Sequence, residues 1–255
     1  MLKWKLMLTT LPFVAGVTLI KAILDFGVHF AGVIEFGDVG VVLTGAVFLT
    51  GFLLAGTMAD YKESEKLPGE VAANLEMLEE LFVLAAAQRP ALDLKQLQKS
   101  VLGLTDTIKD WLVKKKTSPQ MFAALTDMNS MFVVLDKAGA GADSSRALPH
   151  LTALRRSISR IDVISRTGFL PPAYALLEVL LTMILVLMMV AKFKSPVAEF
   201  VFIPVVSLLN IYMLRLIKDI DDPFDFAPDG SKRGGAEVDL FPLDEYRARL
   251  AARIG

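Results

Sequence analysis

Four stretches of the chain, about 11–34, 38–59, 172–192 and 197–216, are apolar almost without interruption. A hydrocarbon core about 30 Å thick needs roughly 20 such residues in a helix, so each stretch is predicted to span a membrane. The long polar segment between the second and third has a different rhythm. In "LKQLQKSVLGLTDTIKDWL", Leu94, Leu97, Val101, Leu104, Ile108 and Trp111 recur at steps of three and four, the spacing of an amphipathic helix. "TSPQMFAALTDMNSMFVVL" opens on a cap-and-proline signal at Ser118 and Pro119 and carries Met121, Leu125, Met128, Phe132 and Leu135 along one face. "KAGAGADSSRA" breaks the pattern, and "LPHLTALRRSISRIDVISRTG" resumes it with Leu151, Leu154, Ile158 and Ile161, ending near Gly168. No segment alternates with the period of a strand. The pattern predicts an all-α integral membrane protein with four transmembrane helices and a helical domain inserted between the second and third. The expected divisions are 1–60 for the first pair of spans, 61–170 for the helical domain, 171–217 for the second pair and 218–255 for a C-terminal tail.

Composition agrees with a membrane class: 54% of the 255 residues are hydrophobic, and the mean hydropathy is +0.51. The basic, then apolar start "MLKWKLMLTTLPFVAG" has the look of a signal peptide. Its apolar run is longer than a signal h-region of roughly 7–15 residues, so a retained anchor is expected. Zero cysteines exclude disulfides, thiol nucleophiles and thiolate metal sites. A formal net charge of −1 gives no general attraction to nucleic acid, and none is expected as a partner. No nucleophile–base pair, phosphate loop or metal-ligand spacing is present, so no enzyme is expected, and no internal repeat argues for a transporter.

Orientation follows from Lys and Arg near the span ends. Lys192 and Lys194 lie on one side, whereas Lys3, Lys5, Lys62, Lys66, Arg155, Arg156, Arg160, Arg166, Arg215 and Lys218 lie on the other. Both termini and the helical domain are therefore expected in the cytoplasm, with the chain multi-pass in a cell membrane.

Three groups of residues carry candidate chemistry. The second span recurs in Gly45, Gly51 and Gly56 with Thr44, Thr50, Ala55 and Thr57. Small residues let membrane helices approach closely, which is one reading. The other notes that Thr44, Phe48 and Phe52, spaced i, i+4, i+8, stack along one face; around a symmetry axis such phenyl groups form apolar rings that gate ions by dewetting. In the first span, Lys21, Asp25 and His29 fall on one helical face. They form either an internal pair, with Lys21 reaching toward the cytoplasm, or the wall of a water-filled entrance that attracts ions. After the fourth span come Asp219, Asp221, Asp222 and Asp225. Acidic groups at a helix C-terminus need a compensating cation, either Arg or Lys of a neighbouring subunit or Ca²⁺ on their oxygens. Glu178, Glu199, Pro204 and Asn210 are given no role. Lys114, Lys115 and Lys116, with the arginines of 155–166, read as a solvated face, as a surface for anionic lipid headgroups, or as the wall of a cytosolic vestibule.

"FLTGF" at 48–52, followed about a dozen residues later by "EKLP" at 65–68, resembles the pore helix of the bestrophins. "LIKDIDDPFDF" at 216–226 is similar to their Asn-Pro-Phe and acidic run, and "DYKESEKLPGE" is similar to the short prokaryotic bestrophin-like membrane proteins. The resemblance implies an oligomeric channel, a homopentamer in a bacterial inner membrane, conducting small inorganic ions, chloride-like anions above all. Phe48 and Phe52 match the hydrophobic neck; Thr44 stands where an apolar residue is usual. No obligatory cofactor is implied, the acidic tail being the one place for Ca²⁺. The alternative is a membrane-anchored interaction protein that displays the helical domain without conduction.

Overall fold

The computed structural model describes residues 2–168 and 171–255. Residues 1, 169 and 170, which fall inside the expected divisions, lie outside the described residues. The chain forms two compact units, one of Met1–Tyr61, Gly168–Asp222 and Gly234–Ala236, the other of Lys62–Thr167, Pro223–Arg233 and Glu237–Gly255.

The first unit holds helices α1 (Leu2–Ala22), α8 (Pro171–Val190) and α9 (Pro196–Asp221), with most of α2 (Phe36–Ser64). Four helical stretches, which overlap these helices, are long and apolar enough to cross a membrane. The first span is displaced from its expected place. The helix starts at Leu2, widens into a π-turn at Ile23–Gly27 and stops before His29. The apolar residues that prolong the hydropathy run form an extended connection. Its strand β1 (Ile34–Glu35) pairs in parallel with β2 (Ala191–Lys192), the one sheet among the described residues. Gly32 permits this contact. It sits at φ +74°, and a Cβ there would lie 2.9 Å from the Ala191 carbonyl oxygen, so only glycine satisfies both the backbone angle and the approach. Two apolar clusters hold the helices together. Val39, Ala46, Ile184, Met188, Ala191 and Val206 form one, and Leu53, Leu177 and Ile217 the other.

The second unit contains α3 (Leu67–Gln88), α4 (Leu94–Leu112), α5 (Ser118–Asp127), α6 (Asn129–Lys137), α7 (Gly141–Arg166) and α10 (Phe241–Ile254). Helix α4 has the predicted limits, with Asp93 as its N-cap accepting from the Gln96 N–H at 3.1 Å. The single helix expected over 117–135 is two, α5 and α6, joined at Met128. Its cap is Thr117, which forms a capping box with Gln120; Ser118 is already helical. Helix α7 begins at Gly141, earlier than "KAGAGADSSRA" suggested, and carries Pro149 inside its first three turns.

Helices α3 and α10 were not foreseen. Val71, Leu75, Leu78, Phe82 and Ala85 of α3 are fully buried, as are Leu243, Tyr246 and Leu250 of α10. Helix α10 packs on α3 and α4 through a charged array as well as apolar contacts. Glu79, fully buried, accepts from Gln98 Nε2 at 2.9 Å and Arg253 Nη1 at 2.7 Å. Arg249 is bidentate to Glu76, and Arg247 and Lys109 pair with Asp106 and Asp244. The Tyr246 hydroxyl donates to the Leu75 carbonyl at 3.1 Å. Burial, reinforced by the Glu79 and Glu76 carboxylates, pushes its phenol well above the ordinary 10.0.

Candidate functional site

Helix α2 is apolar yet rich in threonine and glycine, and its hydroxyls are satisfied internally. Thr44 donates to the Gly40 carbonyl and Thr50 to that of Ala46, each at 2.8 Å; Thr57 reaches Leu54 at 3.0 Å. Such back-bonding leaves no orphan donor in lipid. The helix then divides into two faces. Val39, Ala46, Leu53 and Thr57 are buried against the rest of the chain. Thr44, Phe48 and Phe52 lie on the opposite face, Phe48 being 77% and Phe52 70% exposed. A Cβ added at Gly37, Gly40, Gly45 or Gly51 would meet nothing within 4 Å. Within one chain these four glycines therefore do not serve close helix packing, whereas Ala46 and Thr57 do pack, and the three candidate neck residues share an uncovered face.

The first-span candidates are only partly brought together. Lys21, 4% exposed, places its ammonium 2.9 Å from Asp25 Oδ1, 2.8 Å from Glu199 Oε1 and 3.3 Å from the Met189 carbonyl. Three acceptors match its three N–H groups. Lys21 lies at the C-terminal end of α1, where α9 begins and α8 ends, and its ammonium is enclosed by these groups. His29 does not share the face. It lies beyond the π-turn at φ 55°, so the i, i+4, i+8 spacing that grouped it with Lys21 does not apply. Glu199, given no role from sequence, is the missing partner. A buried lysine with one nearby carboxylate in a membrane span was the signal for a second, but sequence spacing cannot name a residue on another helix.

The four tail aspartates diverge. Asp219 accepts from the Gly235 N–H at 3.0 Å. The carboxylate of Asp221 lies against Gly168, where a Cβ would come within 2.8 Å of Oδ2. Asp222 caps the end of α9. Asp225 pairs with Lys114 at 2.6 Å and Arg233 at 3.5 Å. The basic partners of Asp225 thus come from the same chain, where a neighbouring subunit was expected. Among the described residues no group of three or more His, Asp or Glu side chains converges as a metal site. The chemistry of this donor set does not fit Ca²⁺, since the nearest charged neighbours of Asp225 are cations. Two of the insertion's arginines are paired with carboxylates: Arg160 is bidentate to Glu63 at 2.7 and 2.6 Å, and Arg166 Nε donates to Asp162 at 3.0 Å.

The architecture matches solved structures end to end. A bacterial bestrophin homolog from Klebsiella pneumoniae superposes with a TM-score of 0.77 at 12% identity, over 98% of this chain and 98% of that one. The chain has a bestrophin-like fold. A mutant form of the Klebsiella pneumoniae homolog gives 0.77 at 13% identity, over 97% of this chain and 98% of that one. Another crystal structure, of a membrane protein, gives 0.78 at 13% identity over 98% and 99%. No protein-family model matches the chain, and no curated protein sequence matches it. The bestrophin-like fold accounts for the order of parts: two spans, a helical insertion, two spans, and a tail that returns to the insertion through α10.

Proposed function

We propose that the chain assembles as a homopentamer in a cell membrane and conducts small ions passively along a central axis lined by α2. The reading rests on one observation, the uncovered face of α2 that carries Thr44, Phe48 and Phe52. In a ring of copies these phenyl groups form an apolar neck that offers ions no replacement for their hydration shells. Glycines at 37, 40, 45 and 51, open within one chain, leave room for neighbouring helices to approach. Anions are the permeant class carried over from the bestrophin likeness. Charge near the span ends orients both termini and residues 61–170 to the cytoplasm.

Replacing Phe48 and Phe52 by Ala widens and wets the neck. The double variant in liposomes is expected to pass more ions than the parent at equal incorporation and with assembly confirmed. If instead these rings are packed core, their loss costs roughly 3–5 kcal/mol each, and folded protein disappears without a gain in flux. A stable ring whose flux stays at that of empty liposomes moves the assignment to a membrane-anchored interaction protein.

A further inference from the structure

Helices α1 and α9 run antiparallel against each other: Lys21 meets Glu199 at 2.8 Å, and toward the other end Arg215 Nη1 donates to the Thr9 carbonyl at 2.6 Å. Arg215 Nη1 also donates to Thr10 Oγ1 at 3.3 Å, and the guanidinium lies over the Phe13 ring, 5.4 Å from its centroid. These contacts fix a half-buried cation without neutralising it. Among the described residues no carboxylate pairs with Arg215. Asp219, one turn on, accepts from the Gly235 N–H instead, and the nearby Lys218 is taken by Glu178 at 2.6 Å. Only Nη1 is engaged, so Nε–H and the hydrogens on Nη2 still need an acceptor.

Depth decides what can reach them. Arg215 is the first charged residue after the uncharged run 200–214 of α9, and Thr9 lies one turn past Lys5, just inside the uncharged run 6–20 of α1. At about 1.5 Å per residue the arginine stands roughly 9 Å before Asp221, the last residue of α9, at the level where apolar helix gives way to charged helix. A cation there is costly unless an anion meets it. The first unit has none to spare. Asp60, Asp221 and Asp222 are each engaged within the chain, Asp25 and Glu199 hold Lys21, and Glu35 and Asp38 lie in or just after β1, toward the Lys21 end. The same unit of a second copy would bring the same engaged carboxylates. Phe13, which carries the guanidinium, is itself 60% exposed, an open apolar neighbour suited to an acyl chain.

We propose that Arg215 binds the phosphate of a membrane phospholipid. The Nε–H and Nη2–H groups form the planar edge that takes two phosphate oxygens at once. Arg160 uses this same edge on the two oxygens of Glu63. Phe13 packs against the glycerol end of the acyl chains.

The test uses the full chain, delipidated in detergent and mixed with equal amounts of phosphatidylglycerol and a galactosyl diacylglycerol of the same acyl chains, which lacks phosphate. Retained lipid is counted by mass spectrometry. The parent is expected to retain phosphatidylglycerol in preference. Arg215→Gln should lower that retention about fivefold and leave the galactolipid count unchanged. Arg215→Lys, which keeps the charge without the planar edge, should fall between the two. Lys218→Gln, which removes an already paired cation from the same helix end, should have little effect. A parent that retains the two lipids alike overturns the proposal before any variant is made. So does a folded Arg215→Gln protein that retains phosphatidylglycerol like the parent, or a Lys218→Gln protein that loses as much as Arg215→Gln. Inorganic phosphate at fixed ionic strength forms a second arm, read by thermal stability. Stabilisation of the parent and not of Arg215→Gln, without a lipid preference, assigns the arginine to a free anion and overturns the lipid as its source. Dissociation of Arg215→Gln into single chains with the lipid preference intact places a partner's carboxylate on Arg215 and overturns the proposal as well.

Discussion

Lys21 illustrates what a single side chain does in this fold. Its ammonium is nearly sealed from solvent and neutralised by two carboxylates, Asp25 four residues on and Glu199 on another helix. Lys21→Met leaves both acids without their cation, and removal of one partner from a buried ion pair typically costs about 3–5 kcal/mol. The variant should therefore unfold at a markedly lower temperature than the parent in detergent. Adding Asp25→Asn and Glu199→Gln should recover most of the loss, since an uncharged triad leaves no unpaired ion. At this scale the sequence showed one half of the site. The i, i+4 relation of Lys21 to Asp25 could be read directly, whereas Glu199 enters through tertiary packing and His29 leaves through a π-turn that hydropathy does not register.

Among the elements, α10 makes the sharpest test. Tyr246 is fully buried, and its phenol is held above the ordinary 10.0. Because the folded state resists ionisation, its contribution is complete below about pH 10 and falls as the unfolded chain ionises above it, by about 1.4 kcal/mol per pH unit. The difference in unfolding midpoint between the parent and Tyr246→Phe should shift in favour of the variant from pH 10 to 11.5. Near neutrality the same variant should be less stable by about 1 kcal/mol, the worth of the lost bond to Leu75. Which elements could be foreseen follows from how periodic they are and where they sit. Helix α4 has a strong apolar stripe and an Asp cap, and it was predicted to the residue. Leu243, Tyr246 and Leu250 repeat at steps of three and four, so α10 was legible as well, but it follows a polar, glycine-containing segment that reads as tail. The stripe from Val71 to Ala85 in α3 was masked in the same way by the charged run before it. Hydropathy overran the first span because the β1 connection is as apolar as the helix it follows.

For the whole molecule, protease applied to sealed vesicles of known sidedness should reach the 138–145 loop and first turn of α7 from the cytoplasmic face only; cleavage from outside would reject the proposed topology. The bestrophin-like architecture was legible because four spans and an insertion form a long-range pattern that survives sequence divergence. The arrangement of copies that would define a neck was not, because the relevant face of α2 meets nothing within one chain. The Lys21 site also sets an order of events during synthesis. Glu199 leaves the ribosome roughly 180 residues after Lys21, on the order of ten seconds or more at 5–20 residues per second. Throughout that interval α1 must hold a lysine in lipid with Asp25 as its only designated counter-charge. The two carboxylates thus divide the work in time: Asp25 accompanies the nascent span, and Glu199 locks the finished one. Asp25→Asn should lower the fraction of membrane-integrated nascent chains halted near residue 100, a stage at which Glu199 does not yet exist.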